Sequence, residues 1–189
     1  MEEVLGYRLN GLTVVCENFG DPHNVGAVVR TCEALGILNV YIVEEHLPCK
    51  LSKQVTAGAD AWLDIHRYRR VKAALSDLRE WGYRIYSATP EGSATDLEQV
   101  PCDAQLALVF GNEQEGITPE ALGYSDGAFT IPMYGFVRSL NVSAAAAIAV
   151  HSCSRRWRSI RGSGDLSPSQ RESWQTRYLE RKQERSDSL

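Results

Sequence analysis

Ile131-Pro132-Met133-Tyr134-Gly135-Phe136-Val137-Arg138-Ser139-Leu140-Asn141-Val142-Ser143, followed by four alanines, is the stretch on which the reading of this chain turns. It reads as the end of a strand, a glycine-containing loop and the start of an apolar helix running from Ser139 to about Trp157. The first turn of a helix leaves backbone N–H groups unpaired and pointing outward. Ser139, Asn141 and Ser143 carry short polar side chains that can cap those donors or share in binding a ligand. Taken alone, the segment leaves capping and binding about equally favoured.

Working outward, the rest of the chain alternates short apolar runs with helical patterns. Leu12-Thr13-Val14-Val15-Cys16, Val40-Tyr41-Ile42-Val43, Tyr83-Arg84-Ile85-Tyr86-Ser87-Ala88, Leu106-Ala107-Leu108-Val109-Phe110 and Ala128-Phe129-Thr130-Ile131 read as strands, with Trp62-Leu63-Asp64-Ile65 a weaker candidate. Helical spacing runs from Asn24 to Leu35, stopped by Gly36, and from Val71 to Trp81, stopped by Gly82. Shorter helices are expected within 51–58 and over Pro119–Leu122, and a last one from about Pro168 to Arg185. Continuously apolar strands alternating with helices predict an α/β protein with a mostly parallel sheet covered on both faces. Ligands in such sheets sit beyond the carboxyl ends of the strands. Three polar segments lie in that position: Asn18 to Arg30, Gly111-Asn112-Glu113-Gln114-Glu115-Gly116, and the loop opened above.

Composition narrows the classes. The chain has 189 residues and a net charge of −4, with no apolar run near the ~20 residues of a membrane span. Met1-Glu2-Glu3 opens no signal peptide. The five cysteines show no C-x-x-C pair, and no His/Cys/carboxylate spacing resembles a metal site, so free thiols in a reducing cytoplasm and no metal are expected. Residues 1–150 hold 11 basic and 19 acidic side chains, whereas 161–189 belongs to a tail, 151–189, holding 9 basic and 5 acidic. A basic tail on an acidic body is either a solvated amphipathic helix or an electrostatic foot for a polyanion.

Within the first polar segment, Arg30 stands in the otherwise apolar run Val28-Val29-Arg30-Thr31-Cys32, with Asn24 upstream. A guanidinium fork suits phosphate, although a surface arginine on a polar helix face explains it as well. In the second, Gly111 permits close backbone approach or simply a tight turn, and Glu113 can accept from a hydroxyl or amino group. No G-x-G-x-x-G fingerprint follows the first strand and no Walker loop occurs. None of the four histidines sits in a nucleophile-elbow context, and only His23, beside Asn24, is placed to reach the site.

Together the three segments closely resemble the SPOUT superfamily of RNA methyltransferases, in its TrmH-like branch of 2′-O-ribose methyltransferases. The matching motifs are Asn24-Val25-Gly26-Ala27-Val28-Val29-Arg30-Thr31-Cys32, Leu108-Val109-Phe110-Gly111-Asn112-Glu113 with Gly116, and Ile131-Pro132-Met133 through Ser139-Leu140-Asn141-Val142-Ser143, within a similarity spanning roughly Leu12 to Trp157. The resemblance implies a C-terminal deep trefoil knot, an obligate homodimer, and S-adenosylmethionine held by Ala88, Thr89, Gly111, Ile131, Met133 and Leu140. It implies catalytic roles for Arg30, Asn24, Glu113, Ser139 and Asn141. The loop and the tail (Leu166-Ser167-Pro168, Trp174, Tyr178-Leu179, Arg181-Lys182) resemble enzymes that methylate guanosine 18 in the tRNA D-loop. The implied organisation is a methyltransferase domain over 1–160 and a basic helical extension over 161–189 that binds RNA, assisted by Arg67-Tyr68-Arg69-Arg70. A ribosomal RNA methyltransferase of the same branch and a catalytically silent RNA-binding module are the alternatives.

Overall fold

The two most apolar runs of the sequence lie side by side at the middle of a seven-stranded sheet. The computed structural model describes residues 1–45, 51, 53–90 and 94–187. Its strands are β1 (Leu12–Glu17), β2 (Asn39–Val43), β3 (Asp64–Tyr68), β4 (Arg84–Ala88), β5 (Thr95–Asp96), β6 (Leu106–Phe110) and β7 (Gly127–Thr130). They run in the order β3-β2-β1-β6-β4-β7-β5, and each neighbouring pair is parallel. β1 and β6 are buried along their whole length, as strands covered on both faces must be.

Alternate residues of each strand feed opposite cores. Val14 and Cys16 of β1 with Leu108 and Phe110 of β6 join one cluster; Val15 with Ala107 and Val109 join the other. The first face is covered by α2 (Pro22–Ala34), with α3 (Lys53–Thr56) packed beside it, and by α6 (Val142–Arg161). The second is covered by α4 (Val71–Glu80) and α5 (Pro119–Tyr124). Helix α6 buries Ala146, Ala149, Val150, Cys153 and Trp157, a stripe at helical spacing against the first core. Trp157 leaves no room over Gly11, where an added Cβ would lie 2.4 Å from the indole.

A third, smaller cluster docks both ends of the chain on the body. Helix α1 (Glu2–Leu5) contributes Leu5, and α7 (Pro168–Asp187) contributes Trp174 and Tyr178, which meet Leu38 and Leu166. Tyr178 Oη donates to the Trp62 carbonyl at 2.9 Å. Arg177 forks onto both carboxylate oxygens of Asp64 at 3.0 and 3.1 Å, and Arg181 Nη1 donates to the carbonyls of Ala61 and Leu63. Before α7, the Asp165 carboxylate accepts from the backbone N–H groups of Asn10 and Gly11.

Several sequence expectations shift. The helix expected from Ser139 starts at Val142, because Asn141 caps it: its side-chain oxygen accepts from the N–H groups of Ser143 and Ala144. Trp62 belongs to a 3-10 turn over Ala59–Trp62, and the strand begins at Asp64. The half-buried strand Asp64–Tyr68 is an edge strand, so its sequence lacks a continuous apolar run. Neither α1 nor the two-residue β5 has a readable pattern at that length. His66 is partly buried and stacks on Tyr41 with ring centroids 4.6 Å apart, a structural position. His46 and Cys49 lie outside the described residues, as does Ser52 within the expected 51–58 helix. Cys16, Cys32, Cys102 and Cys153 are buried and stand outside any disulfide. No helix is long and apolar enough to cross a membrane, and no metal-ligating cluster occurs, among the described residues.

Candidate active site

The loops that leave the carboxyl ends of β4, β6 and β7 meet around a cleft of about 570 Å³. Ala88, Thr89, Gly111, Ile131, Met133 and Leu140 all line it. The β4–β7 pairing extends past the strands, with Thr89 N–H donating to the Phe129 carbonyl at 2.9 Å. The floor is apolar, formed by Phe110, Phe129 and Ala145. Phe110 and Phe129 meet edge to face at 6.0 Å.

Gly111 has a structural reason to be glycine. A Cβ there would stand 2.2 Å from the Gly116 carbonyl oxygen. The loop closes on itself through Asn112 N–H to Gly116 carbonyl (3.0 Å) and the reciprocal bond (2.9 Å). The backbone that approaches Gly111 closely is therefore its own loop's, at Gly116, whose φ of +72° suits glycine. Asn112 Nδ2 reaches across to the carbonyl of Asn18, which itself adopts a left-handed φ of +52°. This links the ends of β6 and β1.

At one side of the cleft the polar residues form a chain. Asn141 Nδ2 donates to Asn24 Oδ1 at 3.1 Å, and Asn24 Nδ2 donates to Glu113 Oε1 at 2.7 Å. Glu113 also accepts the N–H groups of Gly20 at 2.9 Å and Asp21 at 3.4 Å. Burial pulls the Glu113 carboxyl upward, but the Asn24 amide and the Gly20 and Asp21 N–H groups outweigh it and hold the group below the usual carboxylate range. Glu113 is thus an anion that orients Asn24, and Asn24 in turn is tied to the residue that caps α6. At the end of β1, buried Glu17 accepts from Thr118 N–H at 3.1 Å and from the Thr118 hydroxyl; burial raises its carboxyl above the ordinary value despite those bonds.

Of the residues proposed for catalysis, the fold brings Asn24, Glu113 and Asn141 into one network, and Ser139 is exposed on the wall of the cleft. Arg30 stands apart. It is exposed on α2, six residues past buried Asn24, which amounts to about 9 Å along the axis and a third of a turn around it. His23 is exposed at the first turn of α2, its N–H held by the capping carboxylate of Asp21. Sequence reasoning had no signal for the structural work of Asn112, Asn18 and Glu17, whose partners are distant in the chain. Beyond the cleft, Tyr134, Phe136 and Val137 project into solvent at 97, 108 and 65% exposure.

Residues 11–151 match the model of the SpoU rRNA methylase family. The chain belongs to that family. Two of its relatives are proteins called tRNA (guanosine(18)-2′-O)-methyltransferase. The one from Borreliella burgdorferi is 35% identical over 84% of this chain and 72% of its own length. The one from Thermus thermophilus is 36% identical over 82% and 80%. Among solved structures, the TrmH/SpoU tRNA modifying enzyme of A. aeolicus superposes with a TM-score of 0.85 at 30% identity, over 95% of this chain and 93% of that one.

Proposed function

We propose that this SpoU-family chain is an S-adenosylmethionine-dependent tRNA ribose 2′-O-methyltransferase acting on guanosine 18 of the D-loop. The observation that carries the reading is the cleft at three strand ends, lined by small and apolar residues and by Glu113 and Asn141, which buried Asn24 joins from behind the lining. Relatives bearing that activity in their names match most of the chain and most of their own length. Described cysteines that are all buried and outside any disulfide agree with a cytoplasmic location.

The cleft suits the cofactor. Its volume is in the range of small-molecule sites, and its lining mixes an apolar floor with polar groups such as Thr89, Glu113, Ser139 and Asn141. Ala88, Thr89, Gly111, Ile131, Met133 and Leu140 would hold S-adenosylmethionine, which when bound supplies an electrophilic methyl group. The chain's own part is to hold a ribose 2′-hydroxyl in line and to favour negative charge on its oxygen. Asn24, oriented by Glu113 and Asn141, and Ser139 on the cleft wall offer hydrogen bonds to the ribose. Arg30 offers a planar guanidinium fork suited to phosphate. From the exposed face of α2 it binds the phosphate beside the reacting ribose and stabilises the developing oxyanion, while phosphate or water takes the proton.

We also propose the finer features of the branch. A trefoil knot is supported by β7 lying between β4 and β5, strands joined to each other in sequence. A homodimer is supported by the uncovered Tyr134, Phe136 and Val137, an apolar patch of the kind that marks an interface. Phe136→Glu is expected to lower the sedimentation coefficient if a partner covers this loop. The division at 160 and an RNA-binding role for 161–189 remain part of the same proposal.

The decisive experiment incubates the protein with labelled S-adenosylmethionine and unmodified tRNA or ribosomal RNA, then maps the product. A single 2′-O-methylguanosine at tRNA position 18 is expected, with turnover lost in Arg30→Ala and cofactor binding kept. Label confined to ribosomal RNA would select that alternative, in line with the family's description. Cofactor binding with no label in either RNA would favour the silent module.

A further inference from the structure

The structure sorts the basic residues that a polyanion meets from those that hold the protein together. Arg8 pairs with Glu33, Arg67 with Glu44 and Arg177 with Asp64. Arg156, Arg158 and Arg181 donate to backbone carbonyls. Two arginines of the basic C-terminal segment, Arg177 and Arg181, are thus turned inward onto the body. Among the described residues, Arg30, Arg69, Arg70, Lys72, Arg138 and Arg155 are exposed, and their side chains have no hydrogen bond, ion pair or ring contact. Three of these six fall within four residues, Arg69 to Lys72, at the corner between β3 and α4.

That corner opens on the same edge of the sheet as the cleft. The strands are parallel, and their register places Tyr68 beside Val43, Val43 beside Glu17, and Cys16 beside Phe110. Tyr68, Val43, Glu17 and Gly111 therefore occupy one row across the carboxyl ends. Three steps of about 4.8 Å separate β3 from β6, so the basic corner lies roughly 14 Å from Gly111. The acids nearest in that row are already engaged. Glu44 holds Arg67, Glu45 accepts from Val71 N–H at 3.0 Å, and Glu17 accepts from Thr118. The loops beneath are tied together by Glu45 N–H donating to Asn18 Oδ1 at 2.9 Å, which gives the corner a fixed place relative to the cleft.

We propose that Arg69, Arg70 and Lys72 form a phosphate clamp for the RNA backbone flanking the nucleotide held in the cleft, the strand crossing the ends of β1 and β2 between them. The proposal rests on the RNA-methyltransferase reading and adds the path of the substrate. A phosphodiester backbone fits three free cations on a rigid edge, since phosphate contacts supply affinity and register without sequence preference. The C-terminal helix, with Arg177 and Arg181 facing inward, then contributes less of the electrostatic grip than its composition indicates.

The test measures the affinity of the full-length protein for unmodified tRNA across a salt series, together with methyl transfer, for wild type, Arg69→Ala/Arg70→Ala/Lys72→Ala and the single Arg70→Glu. The side chains are exposed and unpartnered, so thermal midpoint and cofactor affinity should match wild type. The slope of log affinity against log salt is expected to fall by about 2–3 in the triple variant, at roughly 0.7–0.9 per phosphate contact. The KM for tRNA should rise while kcat at saturating tRNA is kept, and Arg70→Glu alone should weaken binding relative to wild type. Wild-type methylation with an unchanged slope and KM in both variants would overturn the clamp alone. A wild type that neither binds nor methylates RNA would overturn the clamp and the reading beneath it.

Discussion

Replacing Glu113 by glutamine tests whether a carboxylate anion organises the candidate active site. In the native protein one oxygen accepts from Asn24 Nδ2 at 2.7 Å and from Asp21 N–H at 3.4 Å, and the other accepts from Gly20 N–H at 2.9 Å. Glutamine keeps one acceptor and turns an NH2 group toward a donor, so about one good bond is lost and a donor–donor contact is made. A hydrogen bond to a charged group contributes about 1.5–3 kcal/mol, and the exposure of Glu113 to solvent reduces that. The expected cost is about 1–2 kcal/mol, or roughly 3–6 °C in Tm for a chain of this size. The sign of the pH dependence follows from the depressed carboxyl. Its contribution is complete above the unperturbed value of 4.5 and is lost as pH falls through the lower native value. Glutamine does not titrate, so the Tm gap between wild type and Glu113→Gln should be full at pH 7 and close progressively below pH 4.5. Thermal unfolding followed by circular dichroism over that range reads it directly. No gap at pH 7, or one that stays constant into acid, would refute the idea of an organising anion.

Asn141→Ala should lower stability by about 1 kcal/mol through the lost cap of α6, whereas Asn141→Asp should retain the cap but be unable to donate to Asn24; calorimetric titration of cofactor with both variants separates capping from the network. Gly111→Ala, whose Cβ would meet the Gly116 carbonyl oxygen at 2.2 Å, should cost more than 3 kcal/mol and abolish cofactor binding, while Gly123→Ala in α5, with nothing within 4 Å, should be neutral or stabilising by about 0.5 kcal/mol in thermal melts. Arg177→Ala should lower Tm at neutral pH by removing both the Asp64 fork and the contact with Trp174, whose ring centroid lies 4.5 Å from the guanidinium. Burial raises the Asp64 carboxyl, but Arg177, with smaller help from His66 and Arg181, outweighs it and the net direction is downward, so the gap from wild type should shrink as pH falls below the ordinary value of 3.8.

Much of the architecture was legible because its signals are local. Continuous apolar runs such as Leu106–Phe110 state that a strand is buried on both faces, and their alternation with helical periodicity states that the sheet is mostly parallel. The three polar segments at strand ends, with Asn24, Glu113 and Asn141 among them, were legible for the same reason, since polar residues where apolar runs stop need a partner or a task. Short or edge elements escaped. The two-residue β5 is too brief for a period, and Asp64–Tyr68 has one exposed edge and so no continuous apolar run. α6 starts three residues beyond Ser139 because three polar side chains compete for the cap, and only the contact with Asn24 singles out Asn141.

What tertiary structure alone decided is which polar groups face one another. Asn24 meets Glu113 across 89 residues and Asn141 across 117. Those meetings depend on β1 lying beside β6 and on α2 packing against α6, an order of elements that no single segment encodes. The same holds for charge. Composition counts Arg177, Arg181, Arg69 and Arg70 alike, but Asp64 and the carbonyls of residues 61 and 63 draw the first two inward and leave the other two in solvent. Local free energy along the chain sets strands, helices and caps, whereas the direction of a long cationic side chain is set by acceptors more than a hundred residues away.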